Sequence, residues 1–264
     1  EIIQNFAKND PRIKFIQNST NRGVCESINS LKDKIQGKYV SFLAADDILD
    51  PAYFYEMMSL AKQFPDSGLL LSDTIVINQN NRGSTSYYKN IPTASFAQEI
   101  KPHQMIKLKQ QGNCFLWGCS CILKTDLFIK YNGYCSSLAD LSDWYLNFCI
   151  ASQHPVAYLP KFLSSYRFSY NTLSANCKRD RKKRKKAFQT FLDLLDQDKR
   201  IKHFFIKAVL LQIIVKENPT LLFKRKYFYV FFYTLFFAVK NKSKKILRDF
   251  FIHKTHFSTH NSDC

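Results

Sequence analysis

Short apolar runs and longer amphipathic ones alternate along the first part of the chain. Ile2, Ile3 and Phe6 share one face of a helix over residues 1–8, which Asn9-Asp10-Pro11 stops. Ile13 and Phe15 alternate with polar neighbours and predict a strand over 12–17, followed by a turn over 18–23. Val24, Ile28, Leu31 and Ile35 recur at spacings of four and three, so 24–35 is predicted helical. The uncharged run 39–43 then reads as a buried strand, and it stops at two adjacent carboxylates, Asp46 and Asp47. Asp50 and Pro51 read as the N-cap and first residue of a helix that reaches residue 64. A second apolar strand over 68–77 carries Asp73, and 78–86 is a loop or hairpin tip. Residues 87–111 are poorly periodic and predict a mobile connection with a helix over 98–110. Residues 114–123 are strand-like, and Thr125 caps a short helix that Asn132-Gly133 ends. After a polar loop at 136–142, Asp143 opens an apolar helix over 144–151; a last short strand spans 155–159 and a loop 166–174. The pattern predicts an α/β fold with a largely parallel sheet, and no internal repeat is visible.

Beyond Lys178 the pattern changes. Residues 178–186 hold eight basic residues and one Asp. A helical face of Phe188, Phe191, Leu192 and Leu195 follows, and then long aromatic and aliphatic runs at 204–215 and 221–239. The thirteen uncharged residues 227–239 are flanked by lysines and Arg225. As a helix they span ~20 Å, short of the ~30 Å hydrocarbon core. They therefore predict either a helix lying in the membrane interface or helices packed on the α/β part with lysines solvating them.

Charge separates the same two parts. Residues 1–150 hold 15 Lys/Arg and 14 Asp/Glu, a balance of +1, which leaves +17 of the chain's +18 to residues 151–264. Such a tail meets a polyanion or an anionic membrane, and it favours the membrane surface. Nucleic acid is the weaker partner, because the basic and aromatic runs are separated and no nucleic-acid motif is present. The 8 cysteines have no framework spacing. Cys25, Cys119, Cys121 and Cys149 sit in apolar runs and read as free thiols in a reducing, cytoplasmic compartment.

Ligands of open α/β sheets bind beyond the carboxyl ends of the strands, and hard divalent cations take oxygen ligands. By spacing alone, Asp46 and Asp47 are either turn formers or metal ligands there. More stretches bear on the choice. Asn21-Arg-Gly-Val-Cys-Glu-Ser-Ile-Asn29 precedes the acidic strand, Gly37-Lys-Tyr-Val-Ser-Phe-Leu-Ala-Ala-Asp-Asp47. Trp117-Gly118 to Lys124 and then Gly133 follow, with Leu141-Ser-Asp-Trp144 and finally Tyr166-Arg167 to Ser174. In this order and spacing they resemble the family 2 glycosyltransferases of GT-A fold, of the bacterial cell-surface polysaccharide type. The resemblance covers residues 1–176 and implies a GT-A-like mixed sheet flanked by helices, with residues 177–264 as a basic, aromatic helical appendage at the inner face of the cytoplasmic membrane.

The resemblance implies an inverting transferase that moves a sugar from a nucleotide-sugar donor to a hydroxyl of a glycan or lipid-linked acceptor. Asp46 and Asp47 would hold Mg²⁺ or Mn²⁺ against the diphosphate, with Asn21 and Arg167 joining them in binding the donor. Arg167 reads as a phosphate contact or a surface ion pair. Asp143 would be the base, or a plain helix cap if the resemblance is set aside. Asp73 reads as a strand-end residue rather than an acceptor contact. Three family positions differ here: Ala44 stands at the first aspartate of the D-x-D, Ser142 at the glutamate before Asp143, and Ser169 at a histidine. The family's first strand and D-D-G-S turn have no counterpart. This predicts a chain shortened by one βαβ unit, and it keeps a non-catalytic remnant as the alternative to an enzyme.

Overall fold

Helix α1 (Ile2–Asn9), helix α2 (Val24–Asn29) and a 3-10 turn at Lys32–Lys34 precede strand β1 (Tyr39–Ser41) in the computed structural model. It describes residues 1–79, 83–170, 172–218, 227–230, 232, 233 and 236. The acidic turn leads to β2 (Ile48–Leu49) and α3 (Tyr53–Gln63); β3 (Leu69–Asn78) and β4 (Ser84–Tyr88) form a hairpin, followed by β5 (Gln98–Ile100) and α4 (Pro102–Gln110). A 3-10 turn at Gly118–Ser120 enters β6 (Cys121–Lys124), then come α5 (Thr125–Lys130), a 3-10 segment at Ser136–Leu141, α6 (Ser142–Gln153) and β7 (Val156–Phe168). Helices α7 (Leu173–Arg179), α8 (Arg181–Gln197), α9 (Lys199–Lys207) and α10 (Gln212–Glu217) follow.

The described strands make one seven-stranded sheet of order β1-β6-β3-β7-β2, with β4 on β3 and β5 on β7. The sheet is mixed, flanked by helices on both faces. The expected largely parallel sheet is corrected, because among these pairs only β3–β7 is parallel. Of the antiparallel pairs only β3–β4 is a hairpin; the others join strands far apart in the chain, where the local alternation of strands and helices does not set direction.

Strand β3 shows why the sheet is covered on both sides. Leu69 and Leu71 face a core that includes Phe148 of α6, Phe188 of α8 and Phe204 of α9. Leu70 points the other way, to Tyr53, Met57 and Leu60 of α3. Alternate side chains leave opposite faces, so a strand buried on both reads as a continuous apolar run. Helices α8 and α9 belong to the same core as the sheet: Phe191 lies 5.5 Å from Phe205, and Trp144 6.0 Å from both rings. The packing alternative thus holds for their apolar faces. Most of the run 221–239 and the lysines after it lie outside the described residues. Among the described residues no helix is long and apolar enough to cross a membrane.

Several expected elements change. Residues 12–17 form no strand; Ile13, Phe15 and Ile16 are exposed, and an extended segment without a neighbouring strand has no ladder to join. The helix expected over 24–35 stops at Asn29, whose side chain reaches across the fold: its amide donates to Tyr134 O (2.6 Å) and its Oδ1 accepts the Tyr134 N–H (2.8 Å). The connection 87–111 contains the expected helix as α4, and besides it β4's end and β5; of 114–123 only the end is strand. The expected short strand at 155–159 runs on to Phe168 and absorbs the start of the expected loop at 166. Pro160 hid this continuity. It lies where the β3–β7 register jumps from Ser72↔Leu159 to Asp73↔Phe162, an irregularity that tolerates a residue without an N–H.

Candidate active site

Strands β1 and β2 sit at opposite edges of the sheet, so the segment between them crosses the sheet end. Asp46 and Asp47 lie in this crossing. The Asp47 N–H donates to Ala44 O (3.1 Å) and closes the turn; Asp46 is exposed and Asp47 partly buried. Asp47 Oδ1 accepts the Arg167 N–H of β7 at 3.0 Å. Burial raises the Asp47 carboxyl above its usual range and the Asp46 charge adds to this, while the Arg167 N–H and guanidinium oppose it. Asp50 is outside this group: its Oδ1 accepts the Ala52 N–H (2.8 Å), and its own N–H donates to Leu163 O (2.8 Å).

Asp143 occupies the first turn of α6 rather than its cap, with Oδ1 accepting the Trp144 N–H at 2.7 Å. Oδ2 rests against the turn before β6, where a Cβ on Gly118 would stand 2.8 Å from it. Burial pushes the carboxyl up to about 6 and Asp140 adds by repulsion, against the lowering effect of the Trp144 N–H. A carboxylate with that affinity for a proton is suited to general base work near neutral pH.

Cys119 and Tyr166 connect the two acidic centres. Burial pushes the Cys119 thiol up to about 12, with the charges of Asp47 and Asp143 both contributing. Burial also raises the Tyr166 phenol, with Asp47, Asp46 and Asp143 acting on it together. The charges of Asp46, Asp47 and Asp143 thus all bear on Tyr166, those of Asp47 and Asp143 also on Cys119, and Arg167 follows Tyr166 in β7 with its N–H on Asp47. Neither Cys119 nor Tyr166 was foreseen as a site residue; the signal available was that each lies inside a quoted stretch, Trp117-Gly118 to Lys124 and Tyr166-Arg167 to Ser174. The Trp117 ring packs 4.9 Å from Tyr166 and 5.6 Å from Tyr88. Arg167 Nε is buried and has no hydrogen-bond partner among the described residues, so it does not form the alternative surface ion pair through that atom.

The other expected residues have local roles. Asn21 is exposed, its Oδ1 accepts the Gly23 N–H (3.0 Å) in a turn at the start of α2, and it makes no hydrogen bond to the acidic group. Asp73 is buried, and its Oδ1 accepts the Asn90 N–H (2.7 Å) and the Tyr158 hydroxyl (2.8 Å). No cluster of three His, Cys, Asp or Glu side chains suited to a metal is present among the described residues. Two adjacent carboxylates, one of them exposed, still fit a cation that takes one or two protein carboxylates and completes its shell with water and substrate phosphate.

Residues 1–131 match the family model described as glycosyl transferase family 2. An uncharacterised glycosyltransferase of Methanocaldococcus jannaschii is 26% identical over 241 residues, covering 85% of this chain and 76% of the relative. Among solved structures, TarS of S. aureus in complex with UDP-GlcNAc is 13% identical with a TM-score of 0.60, covering 87% of this chain and 66% of that one. TarS in complex with UDP is 16% identical with a TM-score of 0.52, covering 84% and 60%. At these identities the likeness is one of fold, and the chain spans less than two thirds of the length of those structures. With the family match over the acidic turn and β6 and the shared mixed sheet, residues 1–131 belong to glycosyl transferase family 2 and the chain has a GT-A fold.

Proposed function

We propose that the chain is an inverting glycosyltransferase that moves a sugar from a nucleotide-sugar donor to a hydroxyl of a glycan or lipid-linked acceptor in cell-surface polysaccharide synthesis. The observation that carries this reading is that the charges of Asp46, Asp47 and Asp143 all bear on Tyr166, with the Arg167 N–H on Asp47. A nucleotide-sugar donor is supported by the fold neighbour bound to UDP-GlcNAc.

In this reading the donor diphosphate lies over the turn of Asp46 and Asp47. A divalent cation held by the two carboxylates, Mg²⁺ or Mn²⁺, would supply charge neutralisation for the departing diphosphate. Arg167 contributes a guanidinium whose buried Nε has a donor to offer a phosphate oxygen. Asp143 accepts the proton of the acceptor hydroxyl through Oδ2, while Oδ1 stays on the Trp144 N–H. Trp117 and Tyr166 exclude water from the space between. One base and one displacement invert the anomeric centre. The +17 balance beyond residue 150, with Phe228, Phe232, Tyr233 and Phe236 exposed, supports attachment to an anionic membrane surface. Residues 1–176 are read as the transferase domain and 177–264 as the membrane-facing helices, even though α8 and α9 also close its core.

The test is transfer from a panel of UDP- and GDP-sugars to polyprenyl-phosphate-linked saccharides by the full chain with Mn²⁺, with the product anomer read by NMR. Asp143→Asn is expected to bind nucleoside diphosphate as the parent does and to lose transfer. Full activity in that variant removes Asp143 from the base role.

A further inference from the structure

Arg184 stands in the middle of a basic stretch, Arg181-Lys-Lys-Arg-Lys-Lys186, yet it does not face solvent with its neighbours. Its side chain is 4% exposed, whereas residues 181–183, 185 and 186 are exposed. Helical phase explains the difference. Arg184 precedes Phe188 by four residues and Phe191 by seven, so it shares the face that α8 turns to the core. The guanidinium lies 4.8 Å from the Phe188 ring and forks between two acids. Nη1 donates to Asp140 Oδ1 at 2.6 Å and Nε to Glu217 Oε2 at 2.7 Å. The Asp140 side chain is itself 5% exposed.

Asp140 is three residues before Asp143, in the 3-10 segment that delivers the base. The residue before it, Ala139, has φ 50° and ψ −121°, a conformation L-residues rarely adopt. Such a backbone persists only where its surroundings over-determine it. Leu138 and Leu141 are buried on either side, Ser142 Oγ donates to Cys135 O (3.0 Å), and Ser174 Oγ donates to Asp140 Oδ2 (3.4 Å). The Arg184 fork is the charged member of this set, and it comes from the helical region beyond residue 176.

We infer that Arg184 is a positioning residue: by gripping Asp140 it fixes the turn at 136–142 and sets where Asp143 stands, so the basic C-terminal helices help to hold the site. This rests on Asp143 being the base of the transfer proposed above. A misplacement of ~1 Å at a catalytic group lowers rates by up to ~10²-fold, so a released turn has a measurable consequence.

Arg184→Met alone takes the guanidinium away from the buried Asp140 carboxylate, and unfolding confuses the result. The deciding variant is the double change Arg184→Met with Asp140→Asn, which removes both charges; Glu217, 28% exposed, is left to solvent. The full chain carrying both changes is compared with the parent by thermal melting, by hydrogen exchange of the peptide 134–144 and by steady-state kinetics. The expected result is a melting temperature close to the parent's, exchange at 136–143 raised several-fold without change elsewhere, kcat lowered roughly tenfold or more, and unchanged affinity for UDP and GDP. A double variant with the parent's kcat and exchange overturns the inference, since the pair would then only balance charge. If the parent shows no transfer with any donor, the glycosyltransferase reading fails by itself; local exchange then decides the grip on the turn, raised exchange supporting it and parental exchange overturning it.

Discussion

A Cβ added to Gly118 would stand 2.8 Å from Asp143 Oδ2, so the backbone of the turn before β6 is the surface on which the carboxylate rests. No side chain fits between them without displacing the acid. Gly118→Ala is expected to push the carboxylate off its seat rather than to unfold the protein, because a side-chain end yields more easily than the β6 backbone. The prediction is a loss of transfer of roughly 10–100-fold with little change in donor affinity, measured by steady-state kinetics beside a thermal melt. Parental rates in this variant would show that Oδ2 need not lie there during transfer.

Asp143 also predicts opposite effects on activity and stability. Its carboxyl is raised by burial from an ordinary 3.8 to about 6. The folded state therefore holds the proton more tightly than the unfolded chain between these values. That contribution to stability is present at low pH and is lost as pH rises through about 6. Above it, the buried charge costs on the order of 1–3 kcal/mol. Asp143→Asn is expected to melt above the parent at pH 7.5, to match it near pH 4, and to lose transfer at every pH. In the parent, kcat/KM rises through about 6 and levels off above it. A pH–rate profile and paired melting curves check both halves.

The parts of the sequence that could be read were those where neighbours along the chain are also neighbours in effect. Leu69, Leu70 and Leu71 announced an apolar strand, and the acidic turn and Asp143 were visible as motifs. Asp50 stands apart from the acidic pair as expected, but it is not the cap: Ala52 is the N-cap of α3, and Asp50 holds the preceding turn through the Ala52 N–H. Burial and charge in three dimensions were out of reach. Nothing near residue 119 marks its thiol as the neighbour of Asp47, since the two meet only because β1 and β6 pair. Strand β7 was cut short at Pro160 because its bulge depends on the register with β3. Arg184 was hidden by the charges around it; only its phase with Phe188, Phe191 and Leu195 set it apart.

The two acids of the turn should behave differently when removed. Asp46 is exposed, whereas Asp47 also accepts the Arg167 N–H at 3.0 Å. Asp46→Ala is expected to weaken Mn²⁺-dependent binding of nucleoside diphosphate and to shift stability by no more than ~0.5 kcal/mol. Asp47→Ala should weaken the same binding and also lower stability by about 1–2 kcal/mol, because a partly buried N–H loses its acceptor. EDTA should bring both variants and the parent to one weak affinity. Calorimetric titration with and without the chelator, beside denaturant unfolding, separates the two roles. Binding by the parent that is indifferent to EDTA would remove the cation from this turn.

Asp73 tests the boundary between site and scaffold. Its carboxyl is buried in the β3 bulge, where Oδ1 accepts from the Asn90 N–H and the Tyr158 hydroxyl. These bonds tie the segment after β4 and strand β7 to the centre of the sheet. Asp73→Ala strands two buried donors, each costing ~1–3 kcal/mol, so a loss of about 2–6 kcal/mol is expected. Asp73→Asn keeps an oxygen in the accepting position and carries no charge. Burial raises the Asp73 carboxyl above its usual range, so its favourable contribution is lost as pH rises through that raised value, and the amide avoids this loss. The asparagine variant should therefore be close to the parent in stability at pH 7, and both variants should keep the parental kcat and acceptor KM at temperatures where they are folded. An acceptor KM that rises in Asp73→Asn at unchanged stability would move Asp73 from the scaffold into the binding site.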